Sequence, residues 1–112
     1  MRYTVFQLSL SEVDTQSWEG QRILELKLRG SKSFTAWMSE YYREAAIIVA
    51  DSLEDTFDIG NGYGDENHII RLGAMRSMSV GDVVYCHSTG TYHMCDPFGW
   101  TQLLSFTATV EA

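Results

Sequence analysis

Val83-Val-Tyr-Cys-His87, Ser88-Thr-Gly-Thr91 and Tyr92-His-Met-Cys95 read in succession as a strand, a turn and a returning strand. The β-branched and aromatic residues favour a pleated, half-buried surface, and the hydroxyl and glycine residues between them suit a tight reversal. If Ser88 lies opposite Thr91, His87 faces Tyr92, Cys86 faces His93, Tyr85 faces Met94 and Val84 faces Cys95. Alternation then gathers Val84, Cys86, His93 and Cys95 on one face and Tyr85, His87, Tyr92 and Met94 on the other. Val80-Gly81-Asp82 is a turn that launches this hairpin. Asp96-Pro-Phe-Gly99 is a corner, because Pro97 has no N–H for a ladder and Gly99 relieves the bend, and Trp100 starts the next strand, which Leu103 or Leu104 continues.

Upstream, Tyr3 to Leu8 has high β-propensity with both faces open to burial. Ser11 to Gly20 is polar and reads as a loop. Ile23-Leu-Glu-Leu-Lys-Leu28 alternates, with Leu24, Leu26 and Leu28 on one side, which predicts a second strand, although its leucines and charges leave a helix open. Ser31 or Ser33 can cap a short helix in which Phe34, Trp37, Met38 and Tyr41 form one apolar stripe facing a sheet. Ala45 to Ala50 is a continuous apolar run, expected as a strand buried on both faces. Asp51-Ser-Leu-Glu54 has capping-box spacing and predicts a second short helix, with Leu53 and Phe57 on the core, Glu54, Asp55 and Asp58 outward, and Gly60 as its stop. Asn67 to Leu72 reads as a further strand, and Phe106 to Val110 as an edge strand with one wet face.

The 112 residues, 45% of them apolar, suffice for one core and not for two ordinary domains, so a single domain over 1–112 is expected. The fold class that follows is α+β: a curved, mostly antiparallel sheet with two short helices and a barrel-like β module in the C-terminal half. The start of the chain lacks an apolar signal region, no stretch approaches a bilayer span, and two cysteines make no disulfide framework, which together predict a cytoplasmic protein.

The net charge of −7 is concentrated rather than spread. Between Glu40 and Glu66 stand eight acids against one base, Arg43, and the rest of the chain is neutral. Phosphate tracking needs clustered Lys and Arg, so nucleic-acid binding is not expected, and Arg22, Lys27, Arg29 and Lys32 read as a solvated face.

Arg76-Ser-Met-Ser-Val-Gly-Asp-Val-Val84, a short hairpin and Asp96-Pro-Phe-Gly-Trp100, preceded by Leu53-Glu-Asp-Thr-Phe57 and Asn61, make a pattern similar to the small YodL-like proteins and domains of phages, plasmids and mobile elements. The similarity runs from about Ala45 to Leu103. It implies a phage or mobile-element accessory protein, working in the host cytoplasm, with no enzymatic chemistry to carry over. Cys86, His87, His93 and Cys95 fall outside that shared pattern.

Those four residues are nonetheless the sharpest chemical candidates. Cys86, His93 and Cys95 on one face offer N and S ligands to a soft ion such as zinc, but a fourth ligand is missing and the spacing matches no standard zinc site. A thiol enzyme would need a base-oriented thiolate in a pocket. A Cys86–Cys95 disulfide would have to bridge a diagonal pair, beyond its usual reach. The Gly60-Asn-Gly-Tyr-Gly-Asp65 loop lacks the lysine of a phosphate loop and the oxygen donors of a calcium loop, and reads as a solvated acidic turn. No catalytic residue, metal ligand set or cofactor is expected.

The leading expectation is a non-enzymatic protein that binds another protein, a host factor among the candidates, through an acidic surface of Asp51, Glu54, Asp55, Asp58, Asp65 and Glu66. Two alternatives stand beside it: a small metal-dependent or thiol enzyme using Cys86, His93 and Cys95, and a structural component that self-associates through Phe106 to Val110.

Overall fold

The computed structural model describes residues 1–107. They form one α+β unit: a six-stranded antiparallel sheet with two α-helices and several short 3-10 turns. The strands are β1 (Arg2–Leu8), β2 (Tyr42–Val49), β3 (Ile69–Arg71), β4 (Val83–Cys86), β5 (Thr91–Cys95) and β6 (Trp100–Leu103), in the spatial order β3-β2-β1-β4-β5-β6. Among the described residues β3 and β6 are the two ends of an open sheet, so the coarse α+β architecture is present without closure into a barrel.

The first strand sits near the middle because it is apolar on both sides. Tyr3 and Val5 pack with Ile48, Ile59, Met78, Val84 and Cys86, whereas Phe6 and Leu8 pack with Ile23, Leu26, Met38, Val83 and Met94. β2 fills its predicted role over Ala45, Ala46, Ile47 and Ile48, which are all buried, but Val49 is 44% exposed and Ala50 lies beyond the strand. A bulge lies between the two, since Val5 pairs with Ala46 and Phe6 with Glu44, which leaves Ala45 as the extra residue.

The clearest departure from expectation is Ile23 to Leu28, which is helix and not strand. It belongs to α1 (Trp18–Arg29), whose N-cap Ser17 accepts a hydrogen bond from the Gly20 N–H. The buried residues are Gly20, Ile23 and Leu26, three apart as a helix requires, while Leu28 points to solvent at 79% exposure. Leu, Glu, Lys, Arg and Gln are strong helix formers, and that propensity together with the serine cap outweighs a brief alternation of leucine with charge. Gly20 is specified by close approach: a Cβ there would lie 1.8 Å from the Asp14 carbonyl oxygen. The loop expected over 11–20 is thus a 3-10 turn at Leu10–Glu12, a short connection and the first turn of α1.

The helix expected after Ser31 or Ser33 is a 3-10 turn, Ala36–Tyr41, preceded by extended Phe34. Its stripe packs as predicted, with Met38 in the core and Phe34, Trp37 and Tyr41 against it. The second helix, α2, spans Leu53–Gly60, and Leu53 and Phe57 lie on the core. Its cap is Ser52 rather than Asp51: Ser52 Oγ accepts from the Asp55 N–H at 3.0 Å, and the Asp55 carboxylate accepts from the Asp51 N–H at 3.0 Å. The expected Asp51–Glu54 box is therefore not formed: the cap is a single serine bond, and the Asp55 carboxylate reaches past Ser52 to the N–H of the residue before it. Gly60 is the last helical residue, and the cap is Asn61.

The hairpin is present with both predicted faces, but its register differs by two residues. Cys86 pairs with Thr91, Tyr85 with Tyr92, Val84 with His93 and Val83 with Met94, around a four-residue loop in which the Gly90 N–H donates to the Cys86 carbonyl. A slip of two preserves every side chain's face, whereas a slip of one would have exchanged them. Phe106 is not part of an edge strand: it is buried among Phe6, Phe34, Tyr42 and Tyr92. The remainder of that expected strand, 108–110, lies outside the described residues.

The segment leading into the hairpin is stitched to the sheet by a buried polar network. Gln7 Nε2 donates to the Arg76 carbonyl and to Asp82 Oδ2, both at 3.0 Å, and Gln7 Oε1 accepts from the Arg76 N–H. Asp82, only 1% exposed, also accepts from the Ser79 N–H, while its Oδ1 has no partner among the described residues. Burial raises the Asp82 carboxyl above the usual carboxylate range, against the opposing pull of the Ser79 and Gln7 hydrogen bonds and the charges of Lys27 and Arg76.

Candidate functional site

The two faces of the sheet are covered unequally. On one, α1 and the 3-10 turn over 36–41 cover a core that reaches from Phe6 and Leu8 to Met94 and Leu103. On the other, α2 is only eight residues long and sits over the β1 and β2 half. The β5 and β6 end projects beyond it. Trp100, opposite Cys95 in the ladder, is left half-buried, and a groove of about 270 Å³ opens between α2 and the Asp96–Gly99 corner. Its sides are Phe57, Glu54 and Asp58 from α2, and Pro97 and Trp100 from the corner.

The corner is braced. The Asp96 carboxylate accepts from the Ser31 N–H at 2.7 Å, from the Ser31 hydroxyl at 2.9 Å and from the Thr101 hydroxyl, and the Asp96 N–H donates to the Gly99 carbonyl at 2.9 Å. Burial alone would raise this carboxyl; the three donors and the charge of Lys32 outweigh it and hold Asp96 below the usual range. Gly99 has φ +75°, which suits a residue without a Cβ. At the tip, Phe98 is 96% exposed. On its far side a second groove, about 390 Å³, is lined by Leu28, Arg29 and Lys32. One rigid tip therefore separates an acidic groove from a basic one.

The six acids expected to form a binding surface divide into two sets. Asp51, Glu54 and Asp58 are exposed, and none takes part in the three ion pairs found among the described residues. The other three have local structural partners. Asp55 accepts from the Asp51 N–H at 3.0 Å, Asp65 accepts from the Asn67 N–H at 2.9 Å, and Glu66 pairs with Arg71 at 3.2 Å. Arg43, the one base of the acidic window, pairs with Glu12 at 2.7 Å and so does not neutralise α2.

The thiols and imidazoles do not converge. Cys86 and Cys95 are free and buried. The true register puts Cys95 four residues along β5 from the partner of Cys86, about 13 Å at the rise of a strand, farther than the diagonal spacing expected and well beyond disulfide reach. His93 Nε2 bonds to the Thr91 hydroxyl at 2.8 Å, which in turn meets Thr89. His87 lies on the opposite face, 2.7 Å from the Thr4 hydroxyl. Burial pushes the Cys95 thiol up to about 11, with Asp82 and Asp96 adding to the effect, so it stays protonated at neutral pH. For Cys86, burial is outweighed by the hydroxyl and N–H of Thr89, the N–H of Ser88 and Tyr3, and its thiol lies below the usual value; the groove beside α2 touches Cys95 instead. Among the described residues no group of three or more His, Cys, Asp or Glu side chains is placed to share a metal ion, and no helix is long and apolar enough to cross a membrane.

No protein-family model, curated protein or solved structure matches this chain.

Sequence reasoning identified the carboxylates and the corner but not the groove between them. Trp100 and Phe57 were readable only as strand and core residues. Their exposure depends on α2 being shorter than the sheet is wide.

Proposed function

We propose that this chain is a non-enzymatic accessory protein of a phage or mobile element that acts in the host cytoplasm by binding another protein, a host factor in the simplest case. The recognition surface is the acidic face of α2, reduced to Asp51, Glu54 and Asp58 with Asp55, Asp65 and Glu66 as its structural frame. The observation that carries the reading is that these three carboxylates, Asp51 just before α2 and Glu54 and Asp58 on it, are exposed and take no part in an ion pair among the described residues. A solvent-facing block of one sign steers a partner of the opposite sign and raises its rate of encounter. The likeness to YodL-like sequences supports the accessory role.

The thiol-enzyme alternative is disfavoured by a protonated Cys95 in the groove and by a His93 bonded to Thr91 rather than to sulfur. Capture from host lysate with the tagged protein separates the two. The double reversal Glu54→Lys with Asp58→Lys should abolish recovery of a specific partner, and Cys86→Ser should leave it intact. Loss of recovery with Cys86→Ser but not with the reversal would overturn the proposal.

A further inference from the structure

We infer that the groove between α2 and the Asp96–Gly99 corner is a subsite for an arginine side chain in a basic segment of the protein partner. The inference rests on the acidic-face reading above and narrows it to one place and one chemical class.

Three features of the groove select that occupant. Glu54 and Asp58 are four residues apart on α2, so both carboxylates stand on the same side of the helix and repel each other unless a cation sits between them. Across the groove from them stands Trp100, and Phe57 lies beside them on α2, so the lining is aromatic as well as acidic; a guanidinium stacks on an aromatic face while its N–H groups reach carboxylates in the plane. An ammonium has no planar fork, so arginine should be preferred over lysine. Pro97 and Gly99, held by the three hydrogen bonds to the Asp96 carboxylate, fix the far wall before anything binds, which lowers the ordering cost of association.

The same corner supplies an internal control and a second anchor. On its other side the groove holds Arg29 and Lys32 beside Asp96, whose carboxylate is taken up by Ser31 and Thr101, so the two cations outnumber it and an arginine is disfavoured there. Phe98, almost fully exposed on a braced turn, is placed to enter a pocket of the partner when the arginine is seated, as aromatic anchors near the centre of interfaces commonly do.

The probe is a blocked hexapeptide of alternating arginine and glycine, titrated into the full chain labelled with ¹⁵N, beside the same peptide with citrulline in place of arginine. The arginine peptide should give saturable shifts of the Trp100 indole N–H and of the amides from Glu54 to Asp58, and the citrulline peptide should give none. Glu54→Gln with Asp58→Asn should weaken binding about tenfold or more, equivalent to about 1.4 kcal/mol. Shifts confined to the surroundings of Asp51, Asp65 and Glu66, with the Trp100 indole unmoved, would overturn the groove subsite and leave the acidic-face reading standing. Equal binding of the citrulline peptide, or shifts centred on Arg29 and Lys32, would also overturn the subsite. The absence of any saturable shift on α2 would overturn the subsite and count against the broader reading as well.

Discussion

The face beneath α1 and the face beneath α2 are built from similar residues but are finished differently. Under α1, Phe6 meets Tyr92 and Phe106, Phe106 meets Phe34 and Tyr42, and the core continues to Leu103 on the edge strand. Under α2, packing stops at Phe57 and Trp100, and what lies beyond is an open groove rimmed by Glu54 and Asp58, which join none of the ion pairs among the described residues. On the proposed function, the contrast places stability on one side of the sheet and recognition on the other. Substitutions on the first side should act on folding, and substitutions on the second on binding.

The largest effect should come from the closed face. Phe6→Ala removes a fully buried ring that touches two others, and should cost about 3–5 kcal/mol in denaturant unfolding. Trp100→Ala, on the half-open face, should cost about 1–2 kcal/mol, near the ordinary range for single substitutions. Equal losses would break the comparison.

Asp82 should govern the pH dependence. Its carboxyl is raised by burial, so the folded chain holds a proton that the unfolded chain has already released. Its contribution is complete below the ordinary carboxylate value and is lost as pH climbs through the raised one. Asp82→Asn keeps an oxygen for Gln7 and Ser79 and removes the buried charge, so unfolding midpoints measured across the mildly acidic range should lose that decline. An unchanged slope would assign the effect to another group.

The helix caps sharpen the contrast from the other direction, because they should be alike. Ser17→Ala on α1 and Ser52→Ala on α2 each remove one accepted hydrogen bond and should each cost about 1 kcal/mol in thermal or chemical melts. The smallest effect on stability belongs to Glu54→Lys with Asp58→Lys, which should fall within about 0.5 kcal/mol of the wild type because both sites are exposed and neither joins an ion pair. A destabilisation of several kcal/mol would mean that these carboxylates serve the fold.

The parts of the fold that were legible in the sequence are those where one periodicity had no competitor. The apolar run from Ala45 read as a doubly buried strand and is one as far as Ile48, with Val49 exposed at its end, and the alternation around Val83 and Met94 fixed both faces of the hairpin. The register escaped because Ser88-Thr-Gly-Thr91 reads as a two-residue reversal, whereas the loop takes four residues from His87 to Gly90. Ile23 to Leu28 was misread because leucine and charge alternate there for six residues. Only the longer window from Ser17, with its cap and its buried Gly20, Ile23 and Leu26, shows the helical spacing. At the candidate site, composition exposed the acids, and the serine at position 52 could have shown that the helix is capped there and that Asp55 lies within its first turn. The groove was not legible, because it arises from a helix of eight residues lying across a sheet six strands wide.

The most direct test of this division is hydrogen exchange on the chain bound to its captured partner. Peptides covering α2 and residues 96–103 should exchange more slowly in the complex, while those covering α1 and residues 36–41 should be unchanged. Protection of α1 and 36–41 with α2 unaffected would contradict the account, because it would place the recognition surface on the face assigned here to folding.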